Sequence, residues 1–233
     1  MAYIAEEKIK DPAEKALVEE ILKKCNMHNR KYFWKVKRTV DIILSLVALI
    51  VFAPIMLLIG LVIFCFDGHN PIFKQTRAGR FGKEFEMYKF RTMVSDAEAR
   101  KGELMKLNKM DGPVFKVDND PRITKVGKFL RMTSLDELPQ LINILKGDMS
   151  IVGPRPERKC LADEISKEIP EFCYRLKVRG GLTGYAQIYG KYNTSAYDKL
   201  RLDMMYIENY SPLLDIRLII LTLRIIFSKD STE

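Results

Sequence analysis

Residues 42–66 read IILSLVALIVFAPIMLLIGLVIFCF, 25 residues without a charge. A hydrocarbon core of about 30 Å calls for roughly 20 apolar residues of helix. This stretch is therefore a membrane helix, and the rest of the chain is read around it. Pro54 falls near its middle. A proline removes a backbone donor and clashes with the preceding turn, so it bends or breaks the helix. Basic residues flank both ends: Arg30, Lys31, Lys35, Lys37 and Arg38 before, Lys74, Arg77, Arg80 and Lys83 after. The positive-inside tendency places both flanks in the cytosol. A helix–break–helix that dips in and returns satisfies that placement. A plain spanning helix with a mild kink at Pro54 is the other reading, and the residues alone leave the two level.

Upstream, NRKYFWKVKR (29–38) sets five basic residues around Tyr32, Phe33 and Trp34. Basic and aromatic groups together suit a bilayer headgroup layer. Such a patch could also meet nucleic acid, but the adjoining apolar block decides for lipid. Residues 1–27 read as an amphipathic helix with Leu17, Val18, Ile21 and Leu22 on one face. The apolar block comes too late for a signal peptide.

The net charge of +9 over 233 residues points to an anionic partner. Cys25, Cys65, Cys160 and Cys173 form no C-x-x-C pair and read as reduced cytosolic thiols. His28 and His69 stand apart from each other and from any cysteine pair, which argues against zinc.

Beyond residue 67 the chain turns polar. The run 71–93 looks β-like, and 95–110 reads as a charged surface helix. Residues 118–134 read as loop and turn, and a helix is expected over 135–146, closed by Gly147. SIVGPRPE (150–157) reads as a short extended stretch entering a rigid Pro-Arg-Pro turn. Helices are expected over 157–169 and 195–209, with a glycine-rich loop, RGGLTGYAQIYG, at 179–190. The tail 212–227 is apolar but carries Asp215, Arg217 and Arg224. That suits an interfacial or core-packing helix better than a span.

TSLDELPQ (133–140) holds Ser134 three residues before Glu137, the pattern of a capping box. With Ser134 as cap, Asp136 sits at the second helical position, where the dipole favours its anion and lowers its pKa. An ionised carboxylate can act as a nucleophile. Phosphate transfer also uses Mg²⁺, which takes one or two carboxylates, and Glu137 could supply a ligand. A plain helix cap accounts for the same two residues. Cationic side chains, several of them beside Gly or Pro, supply phosphate-binding candidates: Arg77, Arg80, Lys89, Arg91, Arg122, Arg131, Arg155 and Arg179. Arg155 stands out because two prolines restrict its backbone.

KQTRAGRFGKEFEMYKFRTM (74–93), DPRITKVGKFLRMTSLDELPQLINILKGDMSIVGPRPE (120–157) and GLTGYAQIYG (181–190), in this order, resemble the bacterial sugar transferase family, the monotopic phosphoglycosyl transferases. The resemblance runs from about Arg38 to the end of the chain. It implies transfer of a phosphosugar from a UDP-sugar to a polyprenol phosphate, with UMP released. It implies that Asp136 is the nucleophile of a two-step route and that Glu137 helps hold Mg²⁺. It assigns phosphate groups to Arg131 and Arg155; Lys89 and Arg91, candidates by residue type, complete the expected binding set. It makes Pro54 the break of a re-entrant helix. The loop around Gln187 is expected to contact nucleotide or sugar. It departs from many relatives at Gly180 and at Tyr189–Tyr192, so the sugar is left open. A charged segment of 37 residues precedes the match, which reads as a minimal form.

The expected fold is an α-rich α+β monotopic membrane protein. Its parts are a basic amphipathic segment (1–37), a Pro-broken re-entrant helix (38–67), a small cytosolic catalytic domain (68–211) and a C-terminal interfacial helix and tail (212–233). The expected location is the inner membrane, with the catalytic domain on the cytoplasmic face. The expected partners are UDP-sugar, polyprenol phosphate and the bilayer, without nucleic acid; the oligomeric state stays open, a homodimer included. A non-catalytic lipid-binding module and a bitopic nucleic-acid binder are the competing functions. Neither has a use for an acid pair at a helix start or a Pro-Arg-Pro turn.

Overall fold

The structure, a computed structural model, describes residues 31–103, 117, 119–190 and 194–227. The amphipathic helix expected over 1–27 lies outside these residues, as does 104–110 of the expected surface helix. The fold is a helix-rich α+β arrangement. Helix α1 (Lys31–Asp67) precedes strands β1 (Ile72–Ala78) and β2 (Glu84–Phe90). Then come α2 (Lys125–Met132), α3 (Gln140–Lys146), β3 (Met149–Val152) and α4 (Lys159–Glu168). Strand β4 (Gly180–Thr183) and helices α5 (Tyr185–Tyr189), α6 (Ala196–Asn209) and α7 (Pro212–Phe227) complete it.

Helix α1 has 37 residues, a length of about 55 Å at 1.5 Å per residue. Among the described residues it alone is long and apolar enough to cross a membrane. Helical structure runs through Pro54 to Asp67, so the helix is at most bent and not interrupted there. A proline forfeits one backbone bond, and the flanking apolar residues keep the rest of the ladder.

One stripe of α1 is buried: Phe33, Lys37, Asp41 and Ser45 near its start, Ile59 and Ile63 near its end. Residues 50–55 are all exposed. The polar residues on and beside the stripe have partners. Arg38 donates to the Ile144 carbonyl and, at 2.7 Å, to that of Leu145. These are last-turn carbonyls of α3, which lack partners within the helix. Asp41 Oδ1 accepts from Ser150 Oγ and from the Ile151 amide, each at 3.1 Å. Ile59 and Ile63 pack with Phe90 and Leu130, while Ala48 and Leu49 meet Met87, Leu141, Ile144 and Met149.

Strands β1 and β2, in the stretch expected to be β-like, form an antiparallel hairpin with Ile72 opposite Phe90 and Ala78 opposite Glu84. Helix α2 occupies a stretch expected to be loop. Thr124 caps it, its Oγ1 accepting from the Gly127 amide at 2.9 Å. Val126 and Leu130, four apart, then bury against α1 and β2. Gly127 is required by close approach: a Cβ there would stand 2.0 Å from the Thr92 carbonyl oxygen. The chain around 95–98 forms turns, followed by a single 3₁₀ turn at Ala99–Lys101 rather than a regular helix.

Strands β3 and β4 pair in parallel, Met149 beside Gly180 and Val152 beside Thr183. The glycine-rich stretch expected as loop is therefore β4 plus the short helix α5. Its lack of side chains is what permits the pairing: a Cβ on Gly181 would stand 2.1 Å from the Gly153 nitrogen. Helices α4, α6 and α7 lie close to where they were expected. Ser195 caps α6 by accepting from the Asp198 amide.

Candidate active site

Four elements converge on one cleft of about 390 Å³, lined among others by Lys89, Arg91, Arg131, Asp136 and Glu137. Lys89 lies one residue before the end of strand β2. Arg131 sits in the last turn of α2, where the tight Gly127 contact holds that helix against Thr92. The acid pair lies in a 3₁₀ turn, Leu135–Glu137.

The capping box does not form. Ser134 has φ 56°, a left-handed conformation, and makes no side-chain cap bond. Pro139 stands at the start of α3, which begins only at Gln140. A proline has no amide to give a preceding turn, so the helix starts after it. Asp136 thus gains nothing from a helix dipole. It is 8% exposed, and burial pushes its carboxyl above its ordinary value, with the Lys89 charge opposing. Among the described residues its oxygens accept no hydrogen bond.

Glu137 is the opposite case. Its Oε1 accepts from Lys89 Nζ at 2.8 Å. Arg155 Nη2 also donates to Oε1, and Nη1 donates to Oε2 at 3.2 Å. Burial works to raise this carboxyl, but the Arg155 and Lys89 charges and hydrogen bonds hold it far below the usual range. The Glu137 anion in turn keeps Arg155 protonated. Arg131 Nε donates to Thr92 Oγ1 at 2.9 Å, leaving its forked end without a partner among the described residues. Adjacent carboxylates therefore differ: one neutralised by two cations, one buried and unpartnered among the described residues. A phosphate ester entering here meets the Arg131 fork and the cations about Glu137, beside a carboxylate free to attack.

Arg91 lines the cleft and also donates to the Asn70 carbonyl at 2.9 Å. Gln187 does not join the cleft. Its helix packs on α6 and α7, and its amide is buried near Gly184 without a partner among the described residues. Arg122 is bound to Asp120 at 2.6 Å, Arg80 Nε to the Lys177 carbonyl at 3.0 Å, and Arg179 Nε to that of Gly147 at 2.9 Å. These three serve the fold. Thr92 was missed in the sequence, since a lone threonine after a strand carries no signal. Asp203 had one: it lies three residues after Leu200 and four before Ile207, in the buried stripe of α6.

The family model described as bacterial sugar transferase matches residues 32–229. The chain is 48% identical over 161 residues to the galactosyl transferase CpsE of Streptococcus agalactiae, covering 69% of this chain and 35% of the relative. It is 38% identical over 196 residues to the UDP-N-acetylgalactosamine-undecaprenyl-phosphate N-acetylgalactosaminephosphotransferase of Aeromonas hydrophila, 83% of this chain and 44% of that protein. It is 37% identical over 191 residues to the exopolysaccharide production protein ExoY of Rhizobium meliloti, 80% of this chain and 83% of that one. The chain thus spans less than half the length of the first two and most of the third. With the model matched over most of its length, this chain belongs to the bacterial sugar transferase family.

Proposed function

We propose that this chain transfers a phosphosugar from a UDP-sugar to a polyprenol phosphate and releases UMP, starting a surface polysaccharide or glycoconjugate. The observation that carries it is the unpartnered Asp136 carboxylate beside Glu137, which Lys89 and Arg155 hold as an anion. The names of the relatives, which include a sugar-phosphate transfer to undecaprenyl phosphate, support the substrate class.

In the first step an Asp136 oxygen attacks the sugar-bearing phosphorus. The bond from that phosphorus to the bridging oxygen breaks, and UMP leaves with the electron pair. Asp136 is then an acyl phosphate carrying the sugar. In the second step a phosphate oxygen of the polyprenol phosphate attacks the same phosphorus, and the Asp136 carboxylate departs. The Arg131 fork and the Arg155–Lys89 pair meet charge that the phosphoryl oxygens carry throughout. A free carboxylate and its neighbour are the donor type a hard cation takes. Asp136 and Glu137 would hold Mg²⁺, which supplies charge neutralisation at the phosphate groups.

In this reading helix α1 bends at Pro54 without leaving the helical conformation, enters the bilayer and returns on the same side. Phe33, Lys37, Asp41 and Ser45 at one end and Ile59 and Ile63 at the other are buried on the same domain, while 50–55 between them are bare. A perpendicular span would carry one of those contacts across the membrane, and the domain surface with it. The basic flanks put the domain on the cytoplasmic face. A lipid-binding module has no use for a buried carboxylate left without a partner.

The test is UMP release from UDP-sugars by membrane-embedded protein. Asp136→Asn should abolish it, and protein quenched before acceptor is added should carry a phosphosugar on residue 136. Turnover by Asp136→Asn would overturn the covalent route.

A further inference from the structure

The four carbonyls of the strap Pro154–Glu157 are each taken by a different donor. The Gly181 amide donates to the Pro154 oxygen at 2.8 Å, and the Ala78 amide to that of Glu157 at 3.0 Å. Arg175 Nη2 donates to the Arg155 oxygen at 2.9 Å, and Arg77 Nη1 to the Pro156 oxygen at 3.0 Å. Two of the donors are thus guanidinium groups.

Arg175 is the costly one. Its side chain is 4% exposed and lies 2.7 Å from Asp203 Oδ2, whose side chain is 1% exposed. Among the described residues neither Asp203 oxygen accepts an aligned hydrogen bond, and Arg175 Nε and Nη1 donate none. Glu157 stands 3.7 Å from Arg175, and the Phe172 ring lies 4.6 Å from its guanidinium. An apolar pair of equal volume generally folds as well as such a buried ion pair, or better. Stability does not account for Asp203 and Arg175. What the pair achieves is to fix the Arg155 carbonyl.

Arg155 is the residue that grips Glu137. Two prolines already restrict its flanking backbone. With the strap's carbonyls held, its remaining freedom is in its own long side chain. We propose that Arg175 and Asp203 are positioning residues for the transfer, acting through the backbone of Arg155. Asp203 aims Arg175, Arg175 holds the strap, and the strap delivers the guanidinium to Glu137. Neither residue lines the cleft. The inference rests on the transfer reading given above.

Full-length protein in lipid nanodiscs is assayed for UMP release with UDP-sugar, polyprenol phosphate and Mg²⁺. Asp203→Asn and Arg175→Lys are compared alone and in an Arg155→Lys background. Arg175→Lys keeps the charge but loses the planar fork that reaches two acceptors at once. Each single variant should lower kcat about 10- to 100-fold, the scale of a misplaced catalytic contact, with KM for the donor little changed. Asp203→Asn leaves the Arg175 charge buried without its partner and should lower the thermal midpoint, so kcat is read at temperatures well below the midpoint of each variant. In the Arg155→Lys background the same substitutions should add little, since their route to the chemistry is already cut. Wild-type kcat, or an equal fold-loss in both backgrounds, would overturn the inference. If Asp203→Asn does not fold, Arg175→Lys decides by the same criteria. Asp136→Asn is the control. Turnover there overturns the transfer reading, whereas its silence beside undisturbed Asp203→Asn and Arg175→Lys overturns the positioning role alone.

Discussion

Lys37 and Asp215 stand 2.6 Å apart, with 6% and 13% of their side chains exposed. They join the first turns of α1 to the first turn of α7, the two helices with the longest apolar faces. Tyr206 adds a second bond to Asp215, at 2.9 Å, from α6. The pair sets the angle at which both apolar helices leave the domain, and hence the surface offered to a bilayer.

Lys37→Met should therefore leave the Asp215 charge buried with one neutral partner. Removing one member of such a pair costs about 3–5 kcal/mol. The thermal midpoint in detergent micelles should drop sharply. The double variant Lys37→Met/Asp215→Leu should regain most of it, because no bare charge remains. A single variant as stable as wild type would show that the pair is not buried in solution.

The pH–rate profile follows from Asp136. Burial raises its pKa, and the Lys89 charge lowers it. Only the ionised form attacks, so UMP release should fall as pH drops through that raised value. Lys89→Met removes the opposing charge and should move this acid limb to higher pH, besides slowing the reaction. Profiles of the two proteins with coincident acid limbs would rule out Asp136 as the titrating group.

Gly127→Ala tests how the Arg131 side of the cleft is held. The new Cβ would stand 2.0 Å from the Thr92 carbonyl oxygen, and backbone on both sides leaves no easy retreat. Overpacking of this kind costs about 1–3 kcal/mol. The helix must shift, and the 2.9 Å bond from Arg131 to Thr92 should go with it. Activity should fall even at temperatures where the protein stays folded. An active protein with an unchanged thermal midpoint would refute the close approach.

Asp203 makes a prediction about stability alone. Burial lifts its carboxyl from 3.8 to about 6, against the pull of Arg175, with Glu157 and Lys199 the other charges near it. Between those values the folded chain holds a proton that the unfolded chain has lost, so stability declines as pH rises through that window. Above it the loss is complete, and it amounts to about 3 kcal/mol at 1.36 kcal/mol per unit. Asp203→Asn cannot ionise and should escape this loss. The wild-type advantage over Asp203→Asn, read from thermal midpoints, should shrink from pH 4 to pH 6. A difference that grows across that range would reverse the sign.

Much of the site was legible in the chain itself. Lys89, Arg131, Asp136, Glu137 and Arg155 all stood among the candidates by residue type, and the resemblance to the family singled out Arg131, Asp136, Glu137 and Arg155. The electrostatic reasoning behind Asp136 was not legible. A capping box and a helix dipole predicted a depressed pKa; the left-handed Ser134 and the proline at 139 produce a short buried turn and a raised one. Local pattern cannot see burial, and burial decides that sign.

Helix α2 and strand β4 show the same limit. Neither has a strong local signal. Leu130 becomes helical because Ile59, Ile63 and Phe90 cover it, and the glycines of β4 become strand because Met149–Val152 lies beside them. Long apolar runs, charge blocks and capped amphipathic helices declare themselves in sequence, since their free energy comes from residues near in the chain. That α1 rests on one domain at both ends, that Gln187 falls outside the cleft and that Arg175 takes the Arg155 carbonyl were settled only by the tertiary structure. Those contacts join residues 20 or more positions apart, and only the packed chain brings them within reach.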